Sequence, residues 1–428
     1  MRLHQINCIK FTKLFIIVLI IFLSACKSED VTDEFGRIEI VLASLSVDNF
    51  IKEQVTAYNK SNPDFFITIV EYLNPLENFE INNEKYADAM VQFDLSIISN
   101  SKSLKSPDIF IVNSNLYHKY ASRSAFVDLT DFYQSNIDIT TVYQNVFEAL
   151  KINGKLFGIA PSFGLYGICM DEEIAELGMA FENMVGFQKE VDYSIVMGGF
   201  RFWLPLYMHE LIDWETRSCN FNNQYFKTIL EMSKSNPNTI DYNTLLNVIR
   251  KRKPLFINSG NTDMYAYQGW SNLFNGNMVF SAYPEQDSIE IDTSIIFALS
   301  NNSNYISEAW DFICSFFDTD YQIKQADLRN MYGIPISRAA NELLISQNAD
   351  KSRDIWQLFG TVKVTHLEPD VMADFCRLLE HKMRIRISDD VIINIIFEET
   401  EAYFTSNYPL EWVIDNINNR VQLYLNEL

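Results

Sequence analysis

The sequence is short of histidine and of positive charge. Its five histidines stand at 4, 118, 209, 366 and 381, and no two have the spacing of a metal site. His209-Glu210 opens like a zinc-protease helix, but the position that needs the second histidine is Asp213. Also missing are a G-x-S-x-G nucleophile elbow, a phosphate loop ending in Gly-Lys-Ser/Thr, and a Gly-x-Gly-x-x-Gly turn after a strand. No catalytic residue, metal or cofactor is therefore assigned. Paired carboxylates such as Asp389-Asp390 and Glu398-Glu399 read as solvated helix faces, because adjacent helical residues point different ways. Lys and Arg number 34 against 56 Asp and Glu, a formal charge of −22. That excess disfavours nucleic acid, whose phosphates need clustered cations. The one basic run, Arg250-Lys251-Arg252-Lys253, reads as a solvated helix end.

A membrane-spanning run is also lacking. Leu14 to Leu23 is apolar but too short for a bilayer, which takes about 20 residues. Arg2, Lys10 and Lys13 precede it, and no acid occurs before Glu29. That order of charge, grease and small residues is a secretory signal. It ends in Leu23-Ser24-Ala25-Cys26, which resembles a bacterial lipobox, where the cysteine receives diacylglycerol and cleavage precedes it. Residues 1–25 are thus expected to be leader and 26–36, polar and acidic, a flexible tether. Losing the leader takes the charge from −22 to −25. Of the remaining cysteines, Cys169, Cys219, Cys314 and Cys376, none has metal spacing. They leave room for one disulfide or for buried free thiols.

What is present suits two cores. The chain has 428 residues and 48% apolar content, more than one lobe ordinarily holds. Ile38–Ala43 is β-rich, and Ser46 or Asp48 can cap a following helix. Ile51, Val55 and Tyr58 recur at helical spacing. Asn62-Pro63 stops that helix and Phe65–Val70 is a strand again. A long helix is expected around Tyr86–Ile98 and another strand at Asp108–Val112. Such β-α-β order predicts a mostly parallel sheet with covered faces. Ligands approach such sheets at the carboxyl ends of strands, which here are Ser44–Ser46 and Asn113–Tyr117. Simple loop and capping chemistry accounts for these stretches equally well.

The stretch Lys151–Asp171, KINGKLFGIAPSFGLYGICMD, organises the chain. Asn153-Gly154 suits a tight turn with positive φ. Pro161 and glycines 158, 164 and 167 interrupt the apolar run that follows. It reads as a strand leaving one unit and entering another beside a cleft; a bulged core strand inside one domain is the alternative.

Four passages resemble the bacterial extracellular solute-binding lipoproteins of ABC importers, in the maltodextrin-binding branch. They are Tyr58–Tyr72, Ser106–Tyr133, the GKLFGIAPSFGLYG passage and Ile395–Leu428. Asp213–Phe221, Asn275–Pro284 and Gly333–Pro335 echo it, although Arg217 stands where glycine is common. The resemblance implies an α/β, two-lobed periplasmic-binding-protein-like fold (type II) with crossover segments between lobes. Lobe 1 would comprise 37–162 and 298–334, and lobe 2 would comprise 163–297 and 335–428. It implies an extracytoplasmic monomer without catalysis, which captures a sugar or oligosaccharide by hinge closure and delivers it to an ABC permease. A peptide or other polar solute, a surface carbohydrate-active enzyme and a sensor or scaffold remain as other readings.

The candidate ligand-binding residues are Trp270 as stacking platform, Phe163 and Tyr166 at the crossover, and Asn115 at a strand end. Tyr283 and Glu285 follow the NGNMVFSAYP phrase, and Trp203 and Tyr332 complete the set. A buried helix face accounts equally well for the stripe that contains Trp203, and a lone surface aromatic is the alternative for Trp270. A single helix is expected over Asn304–Gln325. Membrane attachment is expected to rest on Cys26. Cys26→Ala should therefore move the protein from the membrane pellet to the soluble fraction, as read by fractionation and immunoblot; retention in the pellet would overturn the lipobox reading.

Overall fold

The computed structural model describes residues 32–73, 83–98, 106–123, 125–176, 204, 207–214, 216–235, 256–283, 286–327, 333–357, 360–406 and 408–427. The leader, Cys26, the basic run at 250–253, Trp203, Glu285 and Tyr332 lie outside the described residues.

Two sheets carry the architecture. In the first, Ile38–Ser44 (β1) is buried from Ile40 onward. Helix Asn49–Ser61 (α1) follows and buries Phe50, Ile51 and Val55. Asn62 ends it in an extended conformation, its N–H donating to the Tyr58 carbonyl. Phe65–Glu71 (β2) then pairs parallel with β1, from Ile38 opposite Phe65 to Ser44 opposite Glu71. After helix Asn83–Ile98 (α2), strand Ile109–Val112 (β3) pairs parallel on the other side of β1. Asp108 pins this arrangement. Its carboxylate accepts the Val41 N–H at 2.9 Å and the Ser303 hydroxyl at 2.6 Å, so a buried charge is satisfied rather than orphaned. The helix Ser114–Ala121 (α3) starts at the end of β3, with the Asn113 side chain accepting the Leu116 N–H.

The crossover stretch leaves this sheet and builds the next. Asn153 and Gly154 both have positive φ, 51° and 75°, and Ile152 and Lys155 close the turn. Ile159 exchanges backbone hydrogen bonds with Phe297 of the first sheet, at 3.0 and 2.9 Å. Three residues later Ser162–Asp171 (β4) becomes the hub of the second sheet. It pairs antiparallel with Phe256–Thr262 (β5), Met278–Ser281 (β6), Ile289–Asp292 (β7) and Ile334–Pro335. Helix Met264–Leu273 (α4) lies between β5 and β6. Asp292 ends β7, and at Ile296–Leu299 (β8) the chain is back in the first sheet, antiparallel to β3. Met383–Ile385 (β9) pairs parallel with β7. Helices Asp390–Ser406 (α5) and Leu410–Glu427 (α6) close the chain.

One hydrophobic core runs from Ile40, Leu42 and Phe110 through Phe163 and Leu165 to Ile289, Ile291 and Met383. It therefore joins the two sheets at their base. A second cluster gathers Ile168, Met170, Tyr207 and Phe226 with Ile392, Ile396, Val413 and Ile417 of the last helices. Phe316 anchors the first core, with Phe50, Phe297, Phe312 and Tyr321 ringed around it at 4.6–6.3 Å. It also corrects an expectation. The helix over 304–325 is broken into Ile306–Cys314, a 3₁₀ turn at Ser315–Phe317 and Thr319–Asp327, with Asp318 extended. The break turns both Phe316 and Phe317 into the core. The described cysteines, 169, 219, 314 and 376, are free thiols. Glu398 and Glu399 are not merely solvated, because Arg420 forks to both at 2.7 Å.

Arg217, the departure from glycine noted above, has φ +54°. An L-residue pays about 1–2 kcal/mol for that left-handed conformation. Arg217→Gly is therefore expected to raise stability by about 0.5–1 kcal/mol, after glycine's own entropic cost; chemical denaturation measures it, and a loss of stability would show that the arginine side chain carries more than the strain it imposes.

Candidate functional site

A cleft of about 420 Å³ opens where the two sheets meet. One wall comes from the carboxyl ends of β1 and β3 with the first turn of α1: Ser44, Leu45, Ser46 and Asp48, then Ile111, Val112 and Asn113. The other comes from the start of β4, Ser162–Gly164 and Tyr166, and from the return segment at Asp292, Ser294 and Ile295. Of the two strand ends singled out, Ser44–Ser46 lie in this lining, while of Asn113–Tyr117 only Asn113 and Leu116 do and Tyr117 is in the core. Their local bonds are also those of ordinary loops: Ser44 donates to the Ser46 carbonyl at 2.8 Å, and Asn113 caps α3. Glu71 shapes the first loop by accepting the Val47 N–H at 2.7 Å while pairing with Lys52 at 2.8 Å.

The cleft is polar and acidic. Its described lining includes the carboxylates of Asp48 and Asp292 and no Lys, Arg or His. Asp48 occupies the cap position of α1 yet makes no side-chain capping bond, which leaves its oxygens to the cleft. Burial raises its pKa against the opposing pull of Lys52. Asp292 accepts the Ser114 hydroxyl at 2.8 Å through Oδ1. Ser114 also accepts the Thr293 N–H at 3.1 Å, tying the return segment to the start of α3. Tyr166 stands in the opposite wall with the Arg386 guanidinium 4.4 Å from its ring centroid. Burial first, then Asp292, raise its phenol pKa, while Arg386 lowers it.

Not every predicted site residue meets here. Phe163 and Tyr166 line the cleft, Phe163 only 1% exposed and packed edge-on against Tyr143. Trp270 does not line it. It lies on the inner face of α4, 4% exposed, inside the main core. The polar letters beside it are buried too: Gln268, Gly269 and Ser271 are interior, and the Gln268 amide donates to Asn272 and accepts the Glu368 N–H, so the platform assignment is corrected. Tyr283 is likewise corrected: it is 1% exposed and packs in the second cluster. Asn115 is not in the cleft wall either; its Oδ1 accepts the Ser388 N–H at 2.7 Å. Sequence reading missed Asp48, Asp292 and Ser294. The strand-end rule that found Ser44 extends to Asp48, but nothing local marks Asp292.

Alongside the cleft, α3 touches the far lobe. Besides the bond from Asn115 to Ser388, the His118 and Trp214 rings meet at 5.6 Å, and Arg123 donates to the Glu427 carbonyl at 3.4 Å. Behind the cleft, Arg384 joins Glu290 at 2.7 Å and His209 at 2.9 Å. No group of three or more His, Cys, Asp or Glu with metal-binding geometry occurs among the described residues. No helix among them is long and apolar enough to cross a membrane.

A cleft between two α/β lobes, reached by strand ends and spanned by crossover segments, defines the two-lobed fold of solute-binding proteins. The solved structures that share it include the sugar-binding protein MalE from Xanthomonas citri, with TM-score 0.54 and 12% identity over 91% of this chain and 98% of that one. A family 1 extracellular solute-binding protein from Alicyclobacillus acidocaldarius gives 0.53 and 12%, with the same coverage. The ABC substrate-binding protein Lmo0181 from Listeria monocytogenes, complexed with cycloalternan, gives 0.51 and 14% over 91% and 99%. No protein-family model and no curated protein sequence matches the chain.

Burial depresses the His118 pKa to about 4. The unfolded chain therefore takes up this proton first as pH falls. Stability is lost as pH drops from about 6.5 to about 4, by up to about 3 kcal/mol. His209, held down to about 3 by burial and then by Arg384, acts in the same direction. His118→Gln should flatten the fall in melting temperature between pH 6.5 and 4.5; an unchanged slope would show that the ring is not desolvated between the lobes.

Proposed function

We propose that the chain is an extracytoplasmic receptor that captures a sugar or oligosaccharide between its lobes and passes it to an ABC permease, held at the membrane by a lipid on Cys26. The observation that carries this reading is the cleft itself. Serine hydroxyls, an asparagine and two carboxylates with oxygens to spare face one tyrosine ring across a space of sugar size. Hydroxyl-rich ligands need such edges, and the C–H faces of a pyranose need such a ring. The solved structures sharing the fold add support, since among them are proteins bound to cycloalternan, maltose and mannotriose. Half-sites on separate lobes bind well only when brought together, so ligand shifts the hinge toward closure. Turning a mostly open population into a mostly closed one needs about 5.5 kcal/mol of preference, and micromolar binding supplies about 8 kcal/mol.

Two carboxylates in one cleft are also what a glycosidase would show, so the test separates capture from turnover. A thermal-shift panel of neutral sugars, amino sugars and uronates, followed by calorimetry, should find a neutral ligand, with uronates at least tenfold weaker because Asp48 and Asp292 repel them. Asp292→Asn should narrow that gap, and chromogenic glycosides should stay intact. Release of chromophore would favour the enzyme, and no shift with any sugar would remove the sugar reading.

A further inference from the structure

Three features outside the cleft converge on Tyr166. The first is a register fault. Leu165 pairs with Thr262 and Gly167 with Ser259, so β5 carries one extra residue opposite Tyr166. Such a bulge re-aims a side chain. The second is Gly260, one of the bulge residues. A Cβ there would stand 2.8 Å from Tyr166 Cε1, closer than packed carbons approach. The φ of Gly260 is not positive, so the absence of a side chain is explained by the ring and not by the backbone. The third is Arg386, whose guanidinium lies 4.4 Å from the ring centroid. Its own backbone is fixed, with its N–H donating to the Ile291 carbonyl at 2.7 Å.

We propose that Gly260 and Arg386 are positioning residues that hold Tyr166 as a fixed platform in the second lobe's wall of the cleft. Arg386 takes one ring face by a cation–π contact. Gly260 leaves the room the ring edge needs, and the opposite ring face is left to the ligand. The binding half of this proposal rests on the sugar reading above; the steric half does not. A platform held in place before binding adds affinity by sparing the ligand the cost of ordering it.

Two measurements test the proposal on the exported chain. The first needs no ligand. Gly260→Ala should lower the melting temperature by a few degrees when Tyr166 is present and not at all in a Tyr166→Ala background, because the collision partner is gone. An equal drop in both backgrounds overturns the contact. The second uses maltose and mannotriose in calorimetry. Arg386→Ala should weaken binding at least fivefold, Arg386→Lys less, and Tyr166→Phe little, since it keeps the ring. In the Tyr166→Ala background Arg386→Ala should change nothing further. A further loss there would mean that Arg386 acts on the ligand directly and would overturn its positioning role. If neither sugar binds the unmodified protein, the sugar reading and the binding half fall together, while the melting cycle still decides the contact.

Discussion

No side chain fits at residue 158, and the rest of the molecule depends on that. A Cβ there would lie 2.6 Å from Ile296, 2.9 Å from the Tyr117 ring and 3.0 Å from the Phe297 carbonyl. Only glycine lets the chain press so closely on β8 and α3 before it turns into β4. The close approach allows Ile159 to exchange both backbone bonds with Phe297. It also lets the Tyr117 hydroxyl accept the Phe157 N–H at 3.1 Å while donating to the Leu150 carbonyl at 2.7 Å. The last residue bonded to one sheet and the first residue of the other are thus only a few positions apart. A cleft forms above that short join because each sheet keeps its own strand ends there.

The join is not a loose thread. The main core continues through it, with Phe163 and Leu165 packed among residues of both sheets. Gly333 adds a second close approach, since a Cβ there would meet the Phe163 carbonyl at 2.4 Å, and its φ of +82° already asks for glycine. Interiors packed to this density rearrange between discrete arrangements rather than yielding continuously. Relative motion of the lobes would therefore concentrate in the few backbone positions between β4, β7 and β8, where hinge residues absorb the change. The contacts of α3 with Ser388, Trp214 and Glu427 would be the ones broken on opening.

Much of the fold was legible because its signals are local. Asn153-Gly154 suited a turn with positive φ, which both residues adopt, and Pro161 with its glycines marked a broken apolar run, read either as a crossover strand or as a bulged core strand. The alternation of strand and helix before Val112 fixed a parallel sheet, and with it the side on which Ser44 and Asn113 emerge. Tyr166 was among the candidates at the crossover, but Trp270 was misplaced for a physical reason. Trp270 sits among Gly, Asn, Gln and Ser, as an exposed aromatic would. Those neighbours are buried with it, however: Gln268, Gly269 and Ser271 are interior as well, and the Gln268 amide is satisfied by Asn272 and by the Glu368 N–H, so polar letters here do not mark a surface. The tyrosine that does face the cleft, Tyr166, lies in a greasy run that looks buried. Asp292 was hidden because its role comes from the pairing of β7 with β4, which brings positions 128 apart in sequence, Gly164 and Asp292, side by side.

The two walls of the cleft differ in kind. The first lobe offers hydroxyls, an amide and Asp48 on loops just past strand ends. The second offers an aromatic ring braced from behind by a guanidinium and at its edge by bare backbone. Stacking is forgiving about rotation within the plane, whereas hydrogen bonds are sensitive to a few tenths of an ångström. On the proposed reading, a rigid ring and adjustable polar loops would divide that labour: the ring would set the plane in which a ligand lies, and the loops would read its hydroxyls from the edge. The carboxylates support the same division. Asp292 spends one oxygen on Ser114 and keeps the other, so the return segment is anchored and still presents an acceptor at the point where the two lobes meet. A ligand that used this acceptor would bond to the return segment itself, and under the proposed closure its binding energy would be exerted where the two sheets join.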